Sequence, residues 1–141
     1  MSRIFLDTNF FIYLIQGTGP QAERTKYLLN AFSLRRDEIL TSVMTLGELL
    51  VQPMRMGDSV LVEKYRKIMR SPGITVLPFL ENGAEAFARV RMDKNIKPPD
   101  AIQLATAAIA GCDLFLTNDD RLTRVALPGI HFVTSFDKAP F

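Results

Sequence analysis

Two short apolar runs, Ile4-Phe5-Leu6 and Leu114-Phe115-Leu116, each end on a cluster of carboxylate, hydroxyl and amide side chains. The first gives way to Asp7-Thr8-Asn9 and the second to Thr117-Asn118-Asp119. A strand with no polar alternation is buried on both faces, which is the habit of a parallel sheet covered by helices above and below. In such a sheet ligands collect outside the carboxyl ends of the strands. Both clusters therefore belong on one edge, each where a group can do chemistry. A plainer role accounts for either cluster taken alone. Asp7 or Thr8 can cap the following helix by accepting a backbone N–H, worth about 1 kcal/mol, and Asn-Asp pairs are ordinary turn formers.

Between these runs, helical and strand patterns alternate. Phe10–Ile15 reads as a short helix, and Gly17-Thr18-Gly19-Pro20 breaks it. Ala22 to about Arg36 is amphipathic, Glu38–Ser42 is a second strand, and Val43–Val51 is a helix apolar nearly all round that ends near Pro53. Asp58 caps an amphipathic helix to Arg70, and Ile74–Leu77 is a third strand. Glu81 to about Asn95 is helical with Ala84, Phe87, Ala88 and Met92 inward, and Pro98-Pro99 opens a helix that stops at Gly111. The strand ending at Thr117 is followed by a turn, a short helix, Pro128-Gly129 and a last strand, Ile130–Val133. Strands alternating with helices predict an α/β fold in three layers, a mostly parallel central sheet of about five strands flanked by helices. With no repeat, linker or low-complexity tract, residues 1–141 are expected to form a single domain.

Composition narrows the function classes. No apolar run approaches the roughly 20 residues needed to span a bilayer. The N-terminus leads directly into a charged residue and a strand, unlike a secretory signal. The single cysteine, Cys112, fits a buried hydrophobe in a reducing compartment, so a cytoplasmic protein is expected. A net charge of +2 neither announces nor excludes a nucleic-acid partner. No Ser–His or Cys–His nucleophile stands in a recognisable context, and His131 is assigned a structural place in a late strand.

Glu48 sits among Leu46, Leu49, Leu50 and Val51, where a carboxylate is costly unless a salt bridge, a metal or a reacting group compensates it. Asp100 falls in the first turn of its helix, where the dipole favours an anion whatever its role. If Asp7, Glu48, Asp100 and Asp119 share one cleft, they resist ionising together. Hard divalent cations resolve that conflict, and Mg²⁺ favours carboxylate and water oxygens.

At these four places the chain resembles the PIN-domain nucleases, and among them the VapC-type toxins of prokaryotic toxin–antitoxin pairs. The resemblance covers essentially the whole length. It rests on Leu6-Asp7-Thr8-Asn9, Thr41-Ser42 with Leu46-Gly47-Glu48-Leu49, Asp100-Ala101 with Ala105-Thr106-Ala107, and Leu116-Thr117-Asn118-Asp119. It implies a metal-dependent endoribonuclease in which Asp7, Glu48, Asp100 and Asp119 form the acidic site. Asp7, Asp119 and Asp100 hold Mg²⁺ or Mn²⁺, Glu48 orients water or a second metal, and Thr8, Asn9, Thr117 and Asn118 give support. Gln103 departs from the histidine that many relatives carry there, but it lies outside the acidic set. Asp120 adjoins Asp119, which is chosen because it aligns with the family's Thr-Asn-Asp.

Arg55, Arg121 and Arg124, near the motif segments, are candidate contacts to RNA phosphates. Lys64, Arg66, Lys67 and Arg70 read as a solvated helix face. Phe10–Ile15 and Val43–Val51 carry more apolar side chains than one core-facing stripe needs. Some of these either line a surface groove, as apolar patches at interfaces do, or are buried between sheet and helices. The resemblance supplies the groove's occupants: a second copy of the chain, giving a homodimer, and a VapB-like antitoxin whose tail covers the acids.

Three other readings compete. One is a PIN-like module that binds RNA or a partner without cutting, against which the intact acidic set argues. Another is a DNA-directed relative, which usually brings extra acids and insertions. The third is a phosphoacceptor receiver domain, which needs an aspartate at the third strand end, where Pro78-Phe79 stands here.

Overall fold

In the computed structural model, which describes residues 1–141, five strands form one wholly parallel sheet. They are β1 (Arg3–Leu6), β2 (Glu38–Ser42), β3 (Ile74–Leu77), β4 (Cys112–Leu116) and β5 (Ile130–Thr134), in the order β3-β2-β1-β4-β5. Six helices connect them: α1 (Thr8–Gln16), α2 (Pro20–Arg35), α3 (Val43–Arg55), α4 (Ser59–Met69), α5 (Ala84–Arg91) and α6 (Pro98–Ala110). Strand β1 is central because its side chains are apolar on both faces. Ile4 and Leu6 pack with Phe10, Phe11, Leu28, Phe32, Leu49 and Tyr65 from α1 to α4. Phe5 points the other way, to Val90, Ile96, Leu104 and Phe115. Phe5 and Phe115 are cross-strand partners and stack with ring centres 5.0 Å apart. No helix is long and apolar enough to cross a membrane.

The chain leaves β1 toward β2 and β3, then returns across the sheet to β4 and β5. The strand order thus reverses between β1 and β4, where an open parallel sheet leaves a crevice at its carboxyl edge. The ladder runs on past both strand ends: the Asp7 N–H donates to the Leu116 carbonyl at 3.0 Å and the Thr117 N–H to the Thr134 carbonyl at 3.0 Å. Thr41 closes the β2 side, its hydroxyl donating to the Leu6 carbonyl at 2.9 Å.

Several local expectations are corrected. Helix α3 continues through Pro53 to Arg55, because Pro53 lies in the last turn and the amides of Met56 and Asp58 still close onto the Gln52 and Pro53 carbonyls. This helix is one-sided, not buried all round. Thr45, Leu49 and Pro53 face the core, while Val43, Val51 and Met54 are 48%, 46% and 54% exposed. Helix α5 is shorter than the Glu81–Asn95 pattern and is preceded by a 3₁₀ turn at Glu81–Gly83. Phe87 faces inward as expected, joined by Val90, whereas Ala84, Ala88 and Met92 face water. The residues after Asp119 form turns in place of a helix. Gly129 there has φ +99°, and a side chain would meet the Ala108 carbonyl.

The apolar residues of α1 mostly enter the core, and Leu14 lines a surface cavity of about 400 Å³ with Leu29, Ile39, Ile68 and Ile74. Phe10 and Phe11 are fully buried, and Ile12 alone among the large apolar residues of that helix is exposed. Room for them comes from the C-terminal segment, whose buried Phe136 packs edge-on against Phe10 and Tyr13. Arg24 fastens this segment by donating to the carbonyls of Phe136 at 2.9 Å and Ala139 at 3.1 Å.

Candidate active site

Asp7 occupies the reversal point. It does cap α1, its Oδ1 accepting the Thr8 N–H at 2.8 Å, so the plain role is filled by the candidate acid itself. Its other oxygen accepts from the Thr117 hydroxyl at 2.7 Å, and Thr117 Oγ1 in turn accepts the Asp119 N–H at 3.0 Å. One buried threonine therefore links the acids that end β1 and β4. Asp7 is 5% exposed. Burial pushes its carboxyl up to about 6, against the opposing bonds from Thr117 and Thr8, with Asp100 and Glu48 adding to the rise.

The other acids stand around it in different settings. Glu48 is exposed, which removes the desolvation cost inferred from its apolar neighbours in sequence; its Oε1 accepts from the Thr8 hydroxyl at 2.7 Å. Asp100 is the third residue of α6, and burial, Asp119 and Glu48 raise its pKa while Arg121 and Lys97 oppose them. Asp119 is held below the usual carboxylate range, first by the hydrogen-bonded Arg121 side chain. The Arg121 fork meets it at 3.0 Å (Nε to Oδ1) and 2.5 Å (Nη2 to Oδ2), and Nη2 lies 3.7 Å from Asp100. Arg121 is thus turned into the acids, not held out at the rim. Asp120, beside it, is exposed.

Gln103 is the residue whose part the sequence understated. Fully buried, its amide nitrogen lies 3.4 Å from Asp7 Oδ1, 3.2 Å from Thr8 Oγ1 and 2.5 Å from Thr45 Oγ1, and its oxygen accepts from Ser42. It thereby ties the ends of β1 and β2 and helix α3 to α6. The signal was spacing: Gln103 follows Asp100 by three residues and Thr45 precedes Glu48 by three, which puts each on the face of its helical acid. Lys97, just before Asp100, acts on both Asp100 and Asp119 and was also missed.

The remaining candidates divide. Asn9 donates weakly to Thr117 Oγ1 at 3.5 Å, and its buried Oδ1 has no hydrogen-bond partner. Asn118 faces away from the acids, donating to Gln21 at 3.1 Å and accepting the Phe136 N–H at 3.2 Å. Arg55 is exposed on α3 seven residues after Glu48, hence two turns or about 10 Å along the same face. Arg124 lines a separate cavity of about 390 Å³ with Arg89, Met92 and Leu127. His131 is exposed beside Asp113, not packed into the core, and the buried Cys112 thiol is pushed up to about 12 by burial, which keeps it from serving as a nucleophile.

No three carboxylates converge closely enough to enclose an ion in this arrangement, and Asp119 is engaged with Arg121. The donor set nonetheless fits a hard divalent cation. It comprises carboxylates held near one another and a buried amide oxygen, Asn9 Oδ1, that lacks any partner.

A family model described as PIN domain matches residues 4–128. No curated protein matches the chain significantly. Among solved structures, VapBC2 from Rickettsia felis bound to a DNA fragment from its promoter is similar at TM-score 0.75 and 16% identity, over 94% of this chain and 98% of that one. A toxin–antitoxin complex from Klebsiella pneumoniae is similar at TM-score 0.69 and 23% identity, over 90% and 94%. VapC20 from Mycobacterium tuberculosis, described as a sarcin-ricin loop cleaving toxin, is similar at TM-score 0.65 and 21% identity, over 79% and 86%. At these identities the likeness concerns the fold.

Proposed function

This chain belongs to the PIN domain family, and from that premise we propose that it is a metal-dependent endoribonuclease, the toxin of a VapBC-type toxin–antitoxin pair. The observation that carries the reading is the placement of Asp7. A carboxylate buried to 5% exposure at the reversal of strand order, coupled through Thr117 to the loop of Asp119 and electrostatically to Asp100 and Glu48, is costly unless the site uses its charge. In this reading the whole span 1–141 works as one PIN domain.

Asp7, Asp100 and Asp119 are the residues to hold Mg²⁺ or Mn²⁺, with Asn9 Oδ1 a further oxygen donor. A bound divalent ion lowers the pKa of water and offsets charge on the phosphate during hydrolysis. Thr117 and Gln103 keep Asp7 in one orientation for that task. Glu48, exposed and fixed by the Thr8 hydroxyl, orients the attacking water through its carboxylate. Lys97 and Arg121 supply positive charge beside the acids. Arg55 and Arg124, farther out, contact the RNA backbone without reading sequence. Asn118 serves by anchoring the turn that carries Asp119 to α2 and Phe136.

The partner reading draws on the Klebsiella pneumoniae structure described as a toxin–antitoxin complex and on VapBC2 from Rickettsia felis. It gives this chain a VapB-like antitoxin, a homodimer through the exposed apolar side of α3, and a cytoplasmic setting. Labelled RNA oligonucleotides incubated with the purified chain test the activity. Cleavage is expected with Mn²⁺ or Mg²⁺, none with EDTA, and none by Asp100→Asn. Undiminished cutting by that variant, or cutting of DNA alone, overturns the assignment.

A further inference from the structure

Of the four acids, two share a cation already, and it is the same one. Asp7 is satisfied by neutral donors, a threonine hydroxyl, a backbone N–H and the Gln103 amide; Glu48 accepts from Thr8. Asp119 and Asp100, by contrast, both face the Arg121 guanidinium, at 2.5 and 3.7 Å. Both Asp119 oxygens are engaged: Oδ1 accepts from Arg121 N and Nε, each at 3.0 Å, and Oδ2 from Nη2. Oδ1 has both its lone pairs engaged and Oδ2 one of two, so an ion gains the full use of Asp119 when the fork lets go. The fork can let go, because the Arg121 side chain is 45% exposed and leaves from a turn on the surface. Exposed ion pairs are weak, and a divalent ion brings twice the charge to the same carboxylates.

We propose that Arg121 is a resident counter-ion of the acidic site, which a divalent cation displaces from Asp119 and Asp100, and that the displaced guanidinium then engages the RNA phosphate. This rests on the metal-dependent reading above. It gives Arg121 two positions, one for each state of the site. In the first it offsets repulsion between two carboxylates; in the second it forms the planar, two-pronged contact that suits a phosphate. The backbone N–H of Arg121 stays on Asp119 Oδ1 in the structure, so the turn is held while the side chain is the part free to swing.

Mn²⁺ binding to the native chain, Arg121→Gln and Arg121→Lys, followed by titration calorimetry, tests the displacement. Removing the competing cation is expected to tighten Mn²⁺ binding by roughly threefold to tenfold in Arg121→Gln. Arg121→Lys, which keeps the charge but loses the fork, falls between. In an Asp119→Asn background, where Arg121 competes only at Asp100, the same Arg121→Gln change should tighten Mn²⁺ binding by a smaller factor. Steady-state cleavage of an RNA oligonucleotide at saturating Mn²⁺ should show a raised KM for Arg121→Gln. Equal or weaker Mn²⁺ binding by folded Arg121→Gln, or by Arg121→Lys where the first variant does not fold, overturns this proposal and leaves the metal site standing. Failure of both the native chain and the variants to bind Mn²⁺ overturns the metal-site reading together with it.

Discussion

Replacing Asp7 by Asn should make the metal-free protein more stable at neutral pH and slightly less stable near pH 4. The carboxyl is raised from 3.8 to about 6 by burial. The native state thus holds the proton more tightly than the unfolded chain. The resulting stabilisation is full below about pH 3.8 and is lost as pH rises through about 6. For a group this buried, the loss on reaching pH 7 is about 3 kcal/mol. Asn keeps the size and the acceptor for the Thr8 N–H, but it presents an amide where Thr117 donates, which costs about 1 kcal/mol. The net gain expected at pH 7 is about 2 kcal/mol. Urea unfolding of both proteins in EDTA, from pH 4 to 7.5, measures it as a gap that opens with pH. Adding Mn²⁺ at a hundredfold excess over its dissociation constant should restore about 2.7 kcal/mol to the native chain. The variant should lose most of that response. Parallel pH profiles of the two proteins would refute the claim that burial strains an ionised Asp7.

Gln103→Leu keeps the volume but strips partners from Ser42, Thr45 and Asp7, all buried. Urea midpoints should show about 2–3 kcal/mol lost, and kcat should fall with little change in KM, because Gln103 orients Asp7 without touching substrate. Asn118→Ala should cost about 1–2 kcal/mol and speed hydrogen exchange at the Phe136 amide, which Asn118 Oδ1 now protects. Unchanged exchange there would remove Asn118 from its anchoring role.

The amino-acid sequence by itself determined the layers, the direction of the sheet and that Asp7 and Asp119 follow strands ending on one edge. Ile4-Phe5-Leu6 and Leu114-Phe115-Leu116 carry no polar face, so each had to be covered on both sides, and only helices on either side of a parallel sheet supply that cover. Proline, glycine and capping residues fixed where most helices begin and end, because those choices are made by local backbone sterics. Tertiary structure decided everything that depends on which face an element turns to a distant neighbour. Beside Phe87, Ala84, Ala88 and Met92 suited an inward stripe as well as Val90 did, and only packing on the second face of the sheet chose between them. Glu48 looked buried among leucines, yet the rotation of α3 leaves it in water within reach of Thr8. Gln103 became the centre of the polar network, and Arg121 the counter-ion of two acids, because residues far apart in sequence were brought within hydrogen-bond distance. Periodicity is written in the local geometry of the backbone, whereas a side chain's partner is set by contacts across the fold that no window of sequence contains.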